Sequence, residues 1–177
     1  MRRSAIEIEL NESRVKLLNA FTDLTDEQLK RSLTPSEHEP DNFWSALDHF
    51  AHLALIEQNF EHMIRRQLSG HANPVGLLDD EHGRARTREQ IMRDVHAMTD
   101  EFQRRHRDDS LSDVIALTGR TRSATLLLLS ELSDSQLEAP LTRAPWADGT
   151  IGGVIGANAD HGRMHWKWIV EAGLLEN

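Results

Sequence analysis

Two histidines near the C-terminus of the chain are spaced so that they can share a metal ion. His161 and His165 are four residues apart. On an α-helix this separation rotates the side chain by about 40° and raises it by about 6 Å. Both imidazoles then project in the same direction from adjacent turns, but a third protein ligand has to come from another part of the chain.

A second histidine-bearing segment, far upstream, is the candidate source of that third ligand. His49 and His52 are three residues apart, about 60° around a helix. Either ring or both can therefore reach one centre, and a site of four histidines stays open. Asp48 lies one turn before His52, where its carboxylate can orient that ring from outside the ligand sphere.

The composition restricts the chemistry of such a centre. The chain has 10 histidines and no cysteine, which excludes disulfides, cysteine-based zinc fingers, iron–sulfur clusters and a cysteine nucleophile. Three neutral imidazoles with an open coordination position suit a divalent metal ion such as Zn²⁺, Ni²⁺, Fe²⁺ or Mn²⁺, and an open position is typical of a catalytic site.

The segment that carries His161 and His165 is expected to turn both rings towards the protein interior. Burying polar groups without partners costs a few kcal/mol each, so a metal, hydrogen bonds or a wet cleft must compensate. Several glycines at the start of this segment predict close backbone approach or space for a ligand. The predicted inward face consists of Ile151, Val154, Ile155, Asn158, His161, His165, Trp168 and Ile169.

The other histidines and two arginines have simpler interpretations. Arg14 and Arg122 are candidates for binding an anionic substrate, although ion pairs on helix surfaces are the better interpretation of both. Five histidines on polar or loop stretches are predicted to lie at the surface: His62, His71, His82, His96 and His106.

Helical periodicity extends over nearly the whole chain, and no segment shows the alternation typical of a strand. A capping pattern at Thr25 predicts a short helix to about Arg31. Proline and glycine place loops at about 35–40, 71–86 and 140–149. Long helices are predicted over about 3–22, 41–68, 87–106, 110–132 and 150–172.

The two halves of the chain resemble each other at an offset of 108 residues. Ser13-Arg14 matches Thr121-Arg122, and the pattern L-[ST]-D-x-Q-L occurs at both 24–29 and 132–137. A duplication would relate two helix pairs by a pseudo-twofold axis and bring the histidine segments together across a bundle core. One inserted residue would then superpose His161 on His52.

Charge and hydropathy exclude two classes of partner. The net charge is −9 and the basic residues are dispersed, which argues against sequence-independent nucleic-acid binding. No apolar stretch approaches the roughly 20 residues that span a bilayer. We therefore expect a single domain over residues 1–177, located in the cytoplasm, with neither a nucleic-acid nor a membrane partner.

Taken in order, these motifs resemble the DinB/YfiT-like superfamily of bacterial helical bundles. The resemblance rests on Trp44 followed by Ala51-His52-Leu53, on the HxxxH of His161 and His165, and on the two L-[ST]-D-x-Q-L segments. The 146–150 segment, Trp-Ala-Asp-Gly-Thr, is most similar to the DfsB/ClbS-like branch.

That resemblance implies a fold, a site and an assembly. The fold is an all-α, DinB-like four-helix bundle with an internal pseudo-twofold duplication and short extra helices. The site is a divalent metal ion held by His52, His161 and His165, with His52 preferred over His49. The assembly is a homodimer. Gly162 departs from the family pattern beside His161, which bears on the shape of the pocket.

The resemblance also implies a metal-dependent enzyme acting on a small reactive molecule, by thiol-dependent S-transfer or by hydrolysis, in stress response or detoxification. Relatives include transferases and isomerases that use bacillithiol, mycothiol or glutathione. Because this chain has no cysteine, its thiol would be an external low-molecular-weight one. The alternative is a non-enzymatic, stress-related protein that sequesters a ligand and whose metal site is structural or vestigial.

Overall fold

Four long helices pack around a common centre in a computed structural model that describes residues 2–80 and 82–176. α1 packs along α7, α3 packs along α5, and α3 and α7 also contact each other. α4 lies against α3, outside this group. The elements are α1 (Arg3–Thr22), α2 (Asp26–Lys30), β1 (Ser32–Pro35), β2 (Phe43–Ser45), α3 (Ala46–Leu68), α4 (Arg88–His106), α5 (Leu111–Glu131), α6 (Asp134–Glu138) and α7 (Ile151–Glu171). This confirms the all-α bundle with short extra helices.

Side-chain caps decide where most helices begin. At Ser45 the hydroxyl accepts the N–H of Asp48, and the Asp48 carboxylate accepts the N–H of Ser45. This reciprocal arrangement stabilises a helix start by about 1 kcal/mol. It sets the start of α3 at Ala46, so the predicted start near residue 41 is wrong. The same capping box occurs at Thr25, Thr87, Ser110 and Ser133.

Two short strands are present that the sequence did not indicate. β1 and β2 form a short antiparallel ribbon in which Thr34 pairs with Trp44. Pro35 and Pro40 prevent the helix from continuing through this segment, and strands of three or four residues are too short to show alternation. Trp44 therefore lies on β2 rather than on the long helix, and its indole N–H donates to Asp100 of α4 over 3.2 Å.

The internal repeat is visible in the elements. α1 and α5 begin 108 residues apart, as do α2 and α6. Exchanging the halves converts the α1–α7 contact into the α5–α3 contact, as a pseudo-twofold relation requires. The helix caps Ser45 and Thr150 are only 105 residues apart. His161 therefore lies eleven residues beyond its cap and His52 seven beyond its own, so a single inserted residue does not superpose them.

The glycines of α7 allow it to approach its neighbours closely. A Cβ at Gly162 would lie 2.6 Å from a methyl group of Leu17 on α1, and one at Gly152 would lie 3.1 Å from the carbonyl oxygen of Leu137. Close packing is thus the role of both residues. Gly162 faces Leu17 of α1 and Leu53 of α3, two residues that line a small void beside His161.

Within residues 2–80 and 82–176, no helix combines the length and the apolar character needed to cross a bilayer.

Candidate metal centre

The packing of α3 against α7 brings three predicted histidines together. His52 comes from α3, and His161 and His165 come from α7. One ring nitrogen of each lies within 4.8 Å of the corresponding nitrogens of the other two. Nε2 of His165 is 3.0 Å from Nε2 of His161. Residues separated by 109 positions in the sequence therefore form one compact group of nitrogen donors.

Burial keeps these three imidazoles uncharged. His52 and His165 are buried and His161 is half-buried. Burial lowers the pKa of His52 to about 3, assisted by His161 and His49, and lowers the pKa of His161 to about 4. The pKa of His165 is lowered by burial and then by the neighbouring histidines. At neutral pH a metal ion would therefore not have to displace a proton from these rings.

The donor set fits a divalent transition metal. Nδ1 of His52 is buried and has no hydrogen-bond partner within the described protein, a situation that costs about 1–3 kcal/mol unless something else satisfies the atom. Imidazole nitrogens suit Zn²⁺, Fe²⁺ and Ni²⁺. Three such donors also leave coordination positions for a further ligand.

His49 lies beside this group and contacts it through His165. Nδ1 of His49 is 2.8 Å from Nδ1 of His165, and Nε2 of His49 is 2.7 Å from Oγ1 of Thr34. Both ring nitrogens of His49 thus have hydrogen-bond partners. The geometry favours His49 as an outer partner that orients His165, and it does not favour a fourth ligand.

Asp48 does not orient His52 as the sequence suggested. Its carboxylate accepts from the Ser45 N–H at 2.8 Å and from the Ser45 hydroxyl at 2.7 Å. The residue is occupied in capping α3, so that prediction is wrong.

Arg122 does not form the surface ion pair that the sequence predicted. Its Nε donates to Oε1 of Glu57 over 2.6 Å, and Nη1 donates to the carbonyl of Leu10. Both partners of this ion pair are buried. The interactions of Arg122 therefore link α5 to α3 and α1 in the protein interior, and they do not form a surface ion pair. Arg14 is half-buried, donates to the carbonyl of Ile115 over 3.3 Å, and has a pKa lowered by burial and by Arg122.

A cavity of about 480 Å³ opens beside the histidines, between the bundle, the ribbon and α4. Its polar wall includes His49, His52, His161 and His165. The other lining residues are Thr34, Pro35, Ser36, Glu37, Trp44, Ile56, Met92, Val95, His96, Thr99 and Trp168. The cluster of nitrogen donors therefore faces a space large enough for a small molecule.

His96 is a site residue that the sequence reasoning assigned to the surface. It is half-buried on α4, lines the cavity, and places Nε2 3.2 Å from Oε2 of Glu37. Helical spacing of Met92, Val95, His96 and Thr99 along α4 is the signal that could have identified it. Of the other four histidines, His62, His71 and His82 are exposed as predicted, whereas His106 is half-buried beside Asp109 and the Phe102 ring.

The buried histidines predict that the metal-free protein is sensitive to acid. Their folded-state pKa values lie below the unfolded value of about 6.5, so the unfolded chain binds more protons below that pH. Stability is then complete above about pH 6.5 and falls as the pH decreases towards 4, by up to about 1.4 kcal/mol per pH unit for each histidine.

Urea unfolding of chelator-treated protein between pH 7 and pH 5 measures this dependence. A free energy of unfolding that does not change across that window would contradict the burial of uncharged histidines.

Comparison with known proteins gives one result. A family model described as the DinB superfamily matches residues 9–169, a range that includes the whole of α3 and α5, most of α1 and α7, and His52, His161 and His165. Neither the curated proteins nor the solved structures gave a match to the chain.

Proposed function

Since the chain belongs to the DinB superfamily, we propose that it is a divalent-metal-dependent enzyme acting on a small reactive molecule. The observation that carries this proposal is the group of three uncharged imidazoles, His52, His161 and His165, on the wall of a cavity. Donor atoms of this kind at the edge of open space favour a site that binds both a metal and a substrate.

The residues of the chain prepare this site in three ways. A bound divalent metal supplies Lewis acidity, which lowers the pKa of a water or thiol. His52, His161 and His165 would hold the metal, and His49 fixes the ring of His165 through their hydrogen bond. Trp44 and Ile56 give part of the cavity wall an apolar surface.

The reaction that fits best is transfer of an external thiol to an electrophilic carbon. The chain has no thiol of its own, so the sulfur that bonds to carbon must come from a cosubstrate. In this proposal His96, beside Glu37 on the cavity wall, would receive the thiol proton, and the leaving group or the opened ring would keep the electron pair of the broken bond. Hydrolysis would use water in place of the thiol.

Metal loading tests this proposal directly. Protein purified without a histidine tag should contain about one divalent metal per chain, or should accept Zn²⁺, Ni²⁺, Fe²⁺ or Mn²⁺ with a rise in melting temperature. Conjugation of a small thiol with an epoxide should require that metal and stop on chelation. Protein that contains no metal and whose melting temperature is unchanged by all four ions would overturn the metal-dependent function.

Sequestration without turnover is the second candidate, and the observation that favours it is the cavity itself, whose volume of about 480 Å³ can hold a small molecule. In the same assay a sequestering protein would consume the electrophile or the thiol stoichiometrically and then stop. Multiple turnovers would exclude it. A homodimer stays a prediction that light scattering can test.

A further inference from the structure

The cavity beside the histidines has a distinct distribution of charge and apolar surface. We propose that it selects molecules that are largely apolar and that carry no negative charge on the part that lies away from the histidines. This inference rests on the proposed function for its biological meaning, because it specifies the substrate class of that same site.

The apolar character of the cavity comes from four different elements. Trp44 lies on β2, Ile56 on α3, Met92 and Val95 on α4, and Trp168 on α7. Met92 is 39% exposed and Trp168 is 43% exposed. Large apolar side chains that remain partly exposed around a cavity indicate a surface that gains free energy when an apolar ligand covers it.

The formal charge on the described wall of the cavity is negative. Among the described lining residues, Glu37 is the only acidic side chain, and no lysine or arginine is present. The Glu37 side chain is 81% exposed. Like charges repel, so Glu37 disfavours an anion, and no lysine or arginine among the described lining residues compensates. The partner of Glu37 is the half-buried His96 ring, whose Nε2 is 3.2 Å from Oε2.

Arg14 and Arg122 cannot compensate the negative charge of Glu37. Arg14 and Arg122 line a separate void of only about 20 Å³ together with Glu57. Arg122 is already bonded to both carboxylate oxygens of Glu57. A carboxylate or sulfonate in the main cavity therefore has no guanidinium partner, and an uncharged thiol is a better cosubstrate than one that carries several carboxylates.

A matched pair of fluorescent probes tests the selection on chelator-treated protein, where no metal can attract an anion. N-phenyl-1-naphthylamine is uncharged, and its 8-sulfonate differs from it by one negative charge. We expect the uncharged probe to bind at least about tenfold more tightly. Glu37→Gln should reduce that ratio severalfold, whereas Glu39→Gln, at an exposed site outside the cavity, should leave it unchanged.

A second variant pair locates the binding. Trp168→Ala should lower the affinity for the uncharged probe at least fivefold, whereas Leu127→Ala, at an exposed apolar residue of α5 outside this cavity, should not change it. Equal or tighter binding of the sulfonate, or binding that is insensitive to Trp168→Ala, would overturn the inference. Either result leaves the metal-loading outcome untouched, so failure of the selection is distinguishable from failure of the proposed function.

Discussion

Replacing His161 with alanine is expected to lower the affinity for a divalent metal by more than a hundredfold. His161 would supply one of three ligands, and it is only half-buried, so its removal should disturb the bundle less than loss of a fully buried ring. Loss of an outer partner of a metal ligand typically costs 10–100-fold in affinity, and loss of a ligand should cost more. Titration of apoprotein with Zn²⁺ against a chelating indicator measures the effect.

The same titration separates ligands from their neighbours. His49→Ala should lower the affinity for Zn²⁺ by about 10–100-fold, because His165 loses the ring that orients it. His62→Ala, at an exposed position on α3, should not change the affinity. If His49→Ala costs as much as His161→Ala, then His49 is itself a ligand. If His161→Ala binds Zn²⁺ as the unaltered chain does, the three-histidine assignment is wrong.

Breaking the interior ion pair should give the largest loss of stability. Glu57→Ala leaves the Arg122 guanidinium buried without its carboxylate, and removing one partner of a buried pair costs about 3–5 kcal/mol. Guanidinium chloride unfolding at pH 7 measures this free energy. Glu61→Ala on the same helix is the control, because its pair with Arg65 is at the surface and is worth at most about 1 kcal/mol.

A double substitution distinguishes the charge from the packing. Glu57→Met combined with Arg122→Met replaces both charges with apolar side chains of similar length, and such replacements are often neutral or stabilising. The double variant should therefore be more stable than Glu57→Ala. A double variant that is less stable than Glu57→Ala would show that the favourable interaction within the pair exceeds the free energy cost of burying its two charges.

The residues of the candidate site that obey helical spacing were predictable from the sequence. His161 and His165 share a helix face by their spacing alone, and the repeat together with the family resemblance pointed to His52. The long helices were also predictable, because their apolar positions recur with the helical period. These features depend on the spacing of residues close together in the chain, which can be read directly from the sequence.

The features that depend on how helices meet were not predictable. Whether His49 faces the candidate metal position or the ring of His165 depends on the rotation of α3 relative to α7. Arg122 looked like a surface residue because its buried partner, Glu57, is 65 positions away. His96 belongs to the site only because α4 packs on α3. Tertiary packing sets each of these. The spacing along α4 hints at the face that carries His96, but the sequence has no local signal for the orientation of His49 or for the partner of Arg122.

α4 and the β1–β2 ribbon have a consequence for how this protein can diversify. The proposed ligands stand on α3 and α7, which belong to the repeated halves, whereas α4 contributes the outer wall. Asp100 joins that wall to the ribbon by accepting hydrogen bonds from Ser36 and Trp44. Mutational drift in Met92 or Val95 can therefore alter which molecules are accepted while the nitrogen donors stay in place, so new substrate preferences can evolve without the chemistry being rebuilt.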